Sequence, residues 1–179
     1  LAARTPTLDH LRACSPQLLL HAHGTSVGMP AEDDMGNAEV GHNALGSGQV
    51  YAQGAALVNR AIASGELFSG EPWCEVIGNA SRAGATLHFV GLLSDGNVHS
   101  HVDHLRALVA AAAREGVRRI RLHVLLDGRD VGETSALDYL HPLEAFLAEI
   151  RAGGCDARID SGGGRQLITM DRYEADWEM

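Results

Sequence analysis

The residues best able to do chemistry fall in three glycine-containing loops, Ser94 to His101, Asp127 to Thr134 and Ser161 to Arg172. Between them these loops carry His99, Arg129, Asp130, Arg165 and Arg172. An arginine fork grips a phosphate or carboxylate at two points, and a carboxylate beside it can take and return protons. The combination predicts a pocket for a small anion with an acid or base next to it. Plainer readings compete. Asp127-Gly-Arg-Asp130 also has the composition of a strand-to-helix turn, and Gly162-Gly163-Gly164 that of a flexible bend. The run His99-Ser-His-Val-Asp-His104 holds three imidazoles, but they straddle a loop and a predicted helix. That spacing favours a phosphate contact by His99 over a metal centre.

The elements that must position these loops are legible in the hydrophobic pattern. Thr86 to Leu93 is a mostly apolar run of strand length. A helix follows from an N-cap at Ser100, with Val102, Leu105, Leu108, Val109 and Ala112 on one face, and stops at Gly116. Arg119 to Leu126 alternates and then turns apolar, as a strand entering a sheet does. A second helix spans about Ser135 to Arg151, where Pro142 implies a kink or two abutting helices. A short strand over Asp156 to Ile159 comes next. Strand, helix, strand, helix, strand at this spacing predicts an α/β fold with βαβ crossovers and a parallel sheet, whose ligand lies beyond the carboxyl ends of the strands.

The first third reads differently. A strand is expected over Gln17 to His23, then a polar loop from Gly24 to Asp34, then a strand-to-helix turn over Met35 to His42. An amphipathic helix covers Gln53 to Ser64, and Gly65 to Pro72 reads as a loop. The start of a helix near residue 38 is where a nucleophile would benefit from the helix dipole and unpaired amides, yet Ala38 offers none.

Composition narrows the function classes. The 179 residues carry 14 basic side chains, all of them Arg, against 23 acidic ones, for a net charge of −9. A nucleic-acid or anionic-membrane surface needs the opposite balance. No apolar stretch has the length of a membrane span, and Cys14, Cys74 and Cys155 lack metal or disulfide spacing, which suits a reduced, cytoplasmic setting.

Four segments resemble one known family. Met35-Gly-Asn-Ala-Glu-Val-Gly-His-Asn-Ala-Leu-Gly46, Leu93-Ser-Asp-Gly-Asn-Val-His-Ser-His101, Leu126-Asp-Gly-Arg-Asp130 and Ser161-Gly-Gly-Gly-Arg-Gln-Leu-Ile-Thr-Met-Asp-Arg-Tyr173 are similar to motifs of cofactor-independent phosphoglycerate mutases, closest to the plant and trypanosomatid type. The resemblance implies interconversion of 3-phosphoglycerate and 2-phosphoglycerate through a phosphoserine, with two divalent ions, usually Mn(2+), in a cytoplasmic and usually monomeric enzyme. It implies that His99, Arg129, Asp130, Arg165 and Arg172 hold the phosphoglycerate, and that Asp130 is the general acid/base. It also implies an incomplete transferase domain over residues 54–179 and a strip of an alkaline-phosphatase-like α/β domain over residues 1–53.

Two departures follow from the same comparison of motifs. Ala38 stands where the family has its nucleophilic serine, so the chain as it stands is expected to be inactive and to bind no metal. The family's first metal-binding aspartate would precede Leu1, and its other metal ligands would follow Met179. The alternatives are a non-catalytic phosphate-ligand binding or regulatory module, and a related phosphomutase acting on a sugar phosphate.

Overall fold

The structure is a computed structural model that describes residues 3–82 and 84–169. Helix α1 covers Pro6–Cys14, a 3-10 turn Gly24–Val27, and α2 Ala38–Ser47. Three helices follow, α3 over Gly54–Ser64, α4 over Glu66–Ser69 and α5 over Glu71–Arg82. The chain then runs β1 (Leu87–Leu93), α6 (Val102–Arg114), β2 (Arg119–Leu126), α7 (Ala136–Ala152), β3 (Asp156–Gly164) and a π-helical turn at Arg165–Thr169.

The three strands pair in parallel in the order β1-β2-β3, with Leu87 opposite Ile120 and Arg119 opposite Asp156. This is the α/β fold with βαβ crossovers that the periodicity predicts. Because the order is sequential and such crossovers are right-handed, α6 and α7 must cover the same face. Ile120, Leu122 and Val124 of β2 point into that face and are buried with Val109 and Ala112 of α6, Leu143 and Leu147 of α7, and Ile77 of α5. The alternate residues Arg121 and His123 stay half-buried on the opposite face. There Arg121 donates from Nη2 to Asp156 Oδ2 at 2.7 Å, while His123 shares hydrogen bonds with His88 at 2.8 Å and Ser161 at 2.7 Å.

Several local expectations are corrected. Gln17 to His23 forms no strand; Leu18, Leu19 and Leu20 are 83%, 97% and 66% exposed, and no described strand lies alongside to pair with them. Gly65 to Pro72 is mostly helical, since Glu66–Ser69 forms α4 and Pro72 sits in the first turn of α5, where a missing N–H costs nothing. The α6 N-cap is His101 rather than Ser100: His101 Nδ1 accepts the Asp103 N–H at 3.1 Å, and the Ser100 hydroxyl donates to Leu92 O at 2.6 Å instead. Helix α7 runs unbroken through Pro142, which is exposed, so the carbonyl its ring leaves without a partner can face solvent.

β3 continues to Gly164, past the expected end at Ile159. A register shift at Leu122/His123 skips one residue, and the glycines then carry the strand along β2. At two of them a side chain would be crowded. A Cβ on Gly162 would come within 3.1 Å of Val124 Cγ2, and one on Gly163 would collide with the Ile168 side chain.

The Asp156 carboxyl is lowered to about 2, first by the Arg121 hydrogen bond and then by Arg158. A depressed carboxyl stabilises the fold above its unfolded value, roughly 3.9, and loses that contribution as pH falls toward 2. Carboxyl NMR titration should find Asp156 near 2 and, in Arg121→Gln, clearly higher; an unmoved midpoint would contradict the pairing.

Candidate functional site

The site is built from the segments that leave the carboxyl ends of the three strands. Asp127 follows β2 directly and its side chain is wholly buried. Its Oδ1 accepts the backbone N–H groups of Arg129 and Asp130, each at 3.1 Å, which folds Asp127 to Asp130 into a tight turn over Gly128, at φ 72°. Arg165 leaves β3 and its side chain is equally buried. One nitrogen, Nη1, donates to Asp127 Oδ1 at 2.8 Å and to Asp130 Oδ2 at 2.7 Å. A single guanidinium therefore ties the turn after β2 to the end of β3.

The loop after β1 closes on the same place. Ser94, 1% exposed, accepts the Gly96 N–H at 3.0 Å, and a Cβ on Gly96 would lie 2.9 Å from Asp130 Cβ. Burial alone would raise the Asp127 carboxyl, but the Ser94 hydroxyl, the Asp130 amide, Arg165 and the Arg129 amide outweigh it and hold the group below the usual carboxylate range. The Ser94 contribution stops short of a well-formed hydrogen bond, since Asp127 Oδ2 is buried with no partner at hydrogen-bond geometry.

Three of the residues singled out from the sequence thus stand together: Arg129 and Asp130 in one turn, and Arg165 against Asp130. Arg129 is exposed and Asp130 half-buried. His99 is exposed and lines a neighbouring cavity of about 330 Å³ whose walls include Asn37, Glu39, Asn97 and His104 but not Arg129, Asp130 or Arg165. Arg172 lies outside the described residues.

Ala38 is the first residue of α2, whose N-cap Asn37 accepts the Val40 N–H at 3.0 Å. Asn37 and Glu39 on either side of it face the His99 cavity, while Ala38 itself lines an apolar groove with Leu20, Val27 and Leu45. Asn97, at φ 58°, donates from Nδ2 to Asp34 Oδ1 at 2.9 Å, which links the His99 loop to the segment leading into α2.

Of the imidazole run, His101 and His104 lie side by side, with ring centroids 5.5 Å apart, but both are engaged elsewhere. His101 caps α6, and His104 hydrogen-bonds Asn59 of α3 at 2.6 Å, with its pKa lowered first by burial and then by His101. Among the described residues no group of three or more His, Cys, Asp or Glu side chains could hold a metal ion. The described residues by themselves therefore do not fit a metal centre.

Sequence reasoning gave Asp127 only a turn role and missed its charge pairing. The available signal was a carboxylate set directly against the apolar run Val124-Leu-Leu126, where burial would demand a partner.

Residues 58–179 match the family described as BPG-independent PGAM N-terminus. A "Probable 2,3-bisphosphoglycerate-independent phosphoglycerate mutase" of Leptospira interrogans is 59% identical over 177 residues, and "2,3-bisphosphoglycerate-independent phosphoglycerate mutase 1" of Arabidopsis thaliana 52% identical over 179. Each alignment covers 99% of this chain and 32% of the relative. A crystal structure of Leishmania mexicana phosphoglycerate mutase at low cobalt concentration superposes with a TM-score of 0.88 at 51% identity, over 98% of this chain and 32% of that one. The chain belongs to the BPG-independent phosphoglycerate mutase family, an isomerase family, and spans about a third of the length of these relatives.

A buried pair that loses one member leaves an uncompensated charge. Asp127→Ala should lower unfolding stability in urea by about 3–5 kcal/mol; a change below about 1 kcal/mol would contradict the burial of this pair.

Proposed function

We propose that this chain supplies the phosphoglycerate-holding side of a cofactor-independent phosphoglycerate mutase, which interconverts 3-phosphoglycerate and 2-phosphoglycerate in glycolysis and gluconeogenesis in the cytoplasm. The observation that carries the reading is the exposed Arg129 beside an Asp130 that Arg165 holds at 2.7 Å, at the carboxyl edge of a parallel sheet. On this reading Arg129 and Arg172 grip the phosphate and carboxylate, and His99 approaches from the neighbouring wall. Arg165 serves the ligand from behind, by fixing Asp130. Asp130, held in place by that ion pair, takes the proton from one glycerate hydroxyl and returns it to the other. The family's usual manganese enters only with ligands from outside the described residues. The domain reading is residues 1–53 on the phosphatase side and 54–179 on the transferase side.

Ala38 favours a second reading, a binding module that holds phosphoglycerate without turning it over. A methyl group at the head of α2 has no oxygen to receive a phosphoryl group. The two readings agree on the ligand and differ on turnover.

Calorimetric titration should show 3-phosphoglycerate binding that weakens by ten- to roughly a hundredfold in Arg129→Ala, the worth of a charge-assisted contact. No binding, or no change in Arg129→Ala, would sink the ligand assignment. A chimera in which this chain replaces the matching third of the Arabidopsis relative should lack mutase activity and regain it by many orders of magnitude with Ala38→Ser. A chimera that stays inactive after Ala38→Ser would favour the binding module.

A further inference from the structure

The sheet face opposite α6 and α7 carries a hydrogen-bonded array that the candidate site does not use. Ser161 Oγ lies 2.7 Å from His123 Nδ1, and His123 Nε2 lies 2.8 Å from His88 Nδ1. Each strand contributes one residue, so the array crosses the sheet from β3 through β2 to β1. A register shift makes this possible. Ile159 pairs with Leu122, but Ser161 rather than Asp160 pairs with His123. Side chains alternate along a strand, so Ser161 would otherwise share the core face with Ile159; the bulge turns it to the face of His123.

A hydroxyl bonded to an imidazole that a third group orients is the arrangement of an activated nucleophile. In the tautomer with the His123 proton on Nε2, Ser161 donates to His123 Nδ1 and His123 donates to His88 Nδ1, so the base is aimed at the hydroxyl. Ser161 and Gly162 are exposed and His123 is half-buried, which lets a ligand approach the hydroxyl past a residue with no side chain. Among the described residues β3 pairs on its β2 side alone, so every second N–H along it points outward. Such an amide beside Ser161 is a donor for a developing oxyanion.

We propose that Ser161, His123 and His88 form a second reactive site, an acyl-transfer centre for small activated esters. Ser161 Oγ attacks the ester carbonyl and gives its proton to His123 Nδ1. The bond from Oγ to the carbonyl carbon forms, the bond from that carbon to the leaving oxygen breaks, and His123 passes the proton to the leaving oxygen. Water then repeats the exchange, releasing the acid and restoring the serine. Ser161 and His123 are the catalytic residues. His88 is a positioning residue that holds the His123 ring in the orientation and tautomer Ser161 needs. The site does not depend on the phosphoglycerate reading.

A fluorophosphonate probe reports on the nucleophile directly, because formation of the bond from Oγ to phosphorus expels fluoride and leaves a stable label. Peptide mapping of the unmodified chain should place that label on Ser161, and Ser161→Ala should abolish it. The labelling rate should fall at least roughly a hundredfold in His123→Gln. It should fall roughly ten- to a hundredfold in His88→Leu but far less in His88→Gln, whose amide oxygen still accepts from His123. p-Nitrophenyl acetate should be cleaved with an initial burst that Ser161→Ala lacks. A polar strut that merely ties the strands together would leave Ser161 as inert as an ordinary surface serine. No label on Ser161 in the unmodified chain, or a rate unchanged in His123→Gln, overturns the proposal. The mapping needs no variant, so it decides the matter even if a substitution unfolds the chain.

Discussion

One nitrogen of Arg165 lies between the carboxylates of Asp127 and Asp130, and the geometry of the candidate site depends on that shared pair. Burying three charges is expensive unless each is matched in charge and by hydrogen bonds. Here Asp127 also accepts two backbone amides, so the same carboxylate that neutralises the guanidinium shapes the turn presenting Arg129 and Asp130. Asp130 is then a carboxylate whose position is set by the groups behind it, and on the proposed reading a group that exchanges protons with a hydroxyl needs that fixed placement.

The sheet explains why these groups meet. A parallel order β1-β2-β3 places every strand end on one edge, and right-handed crossovers put α6 and α7 on one face, so both helices begin at that edge with their N-termini toward it. The apolar stripe of β2 anchors this arrangement, and the glycine-rich tail of β3 lets Arg165 enter at the correct height. The opposite face carries paired polar groups, His88 with His123 and Arg121 with Asp156, beside the exposed Val90. The head of α2 reaches the edge through the Asn97–Asp34 bond and the cavity beside His99, which sets position 38 near the edge without joining it to the Arg165 cluster.

The strands, both crossover helices and the loops carrying Arg129, Asp130 and Arg165 were legible in the sequence because alternation, helical period and Gly punctuation report directly on local structure. The misreadings arose where the outcome depends on what lies alongside. Leu18 to Leu20 have strand composition but no described neighbour to pair with, and the Gly162 to Gly164 run looks like a bend until β2 recruits it. Pro142 breaks a helix on paper, but its orphaned carbonyl falls on the exposed side. Asp127 looked like a turn residue because its partner is 38 positions away, beyond the reach of any local pattern.

The most direct test of this account is a crystal structure of the chain with 3-phosphoglycerate. The account predicts the ligand at the carboxyl edge of the sheet, with an anionic group on Arg129 and a glycerate hydroxyl within hydrogen-bond distance of Asp130. The pair between Arg165 and Asp127 should remain near 2.8 Å. A ligand bound only in the groove beside Ala38, with Arg129 and Asp130 untouched, would contradict it.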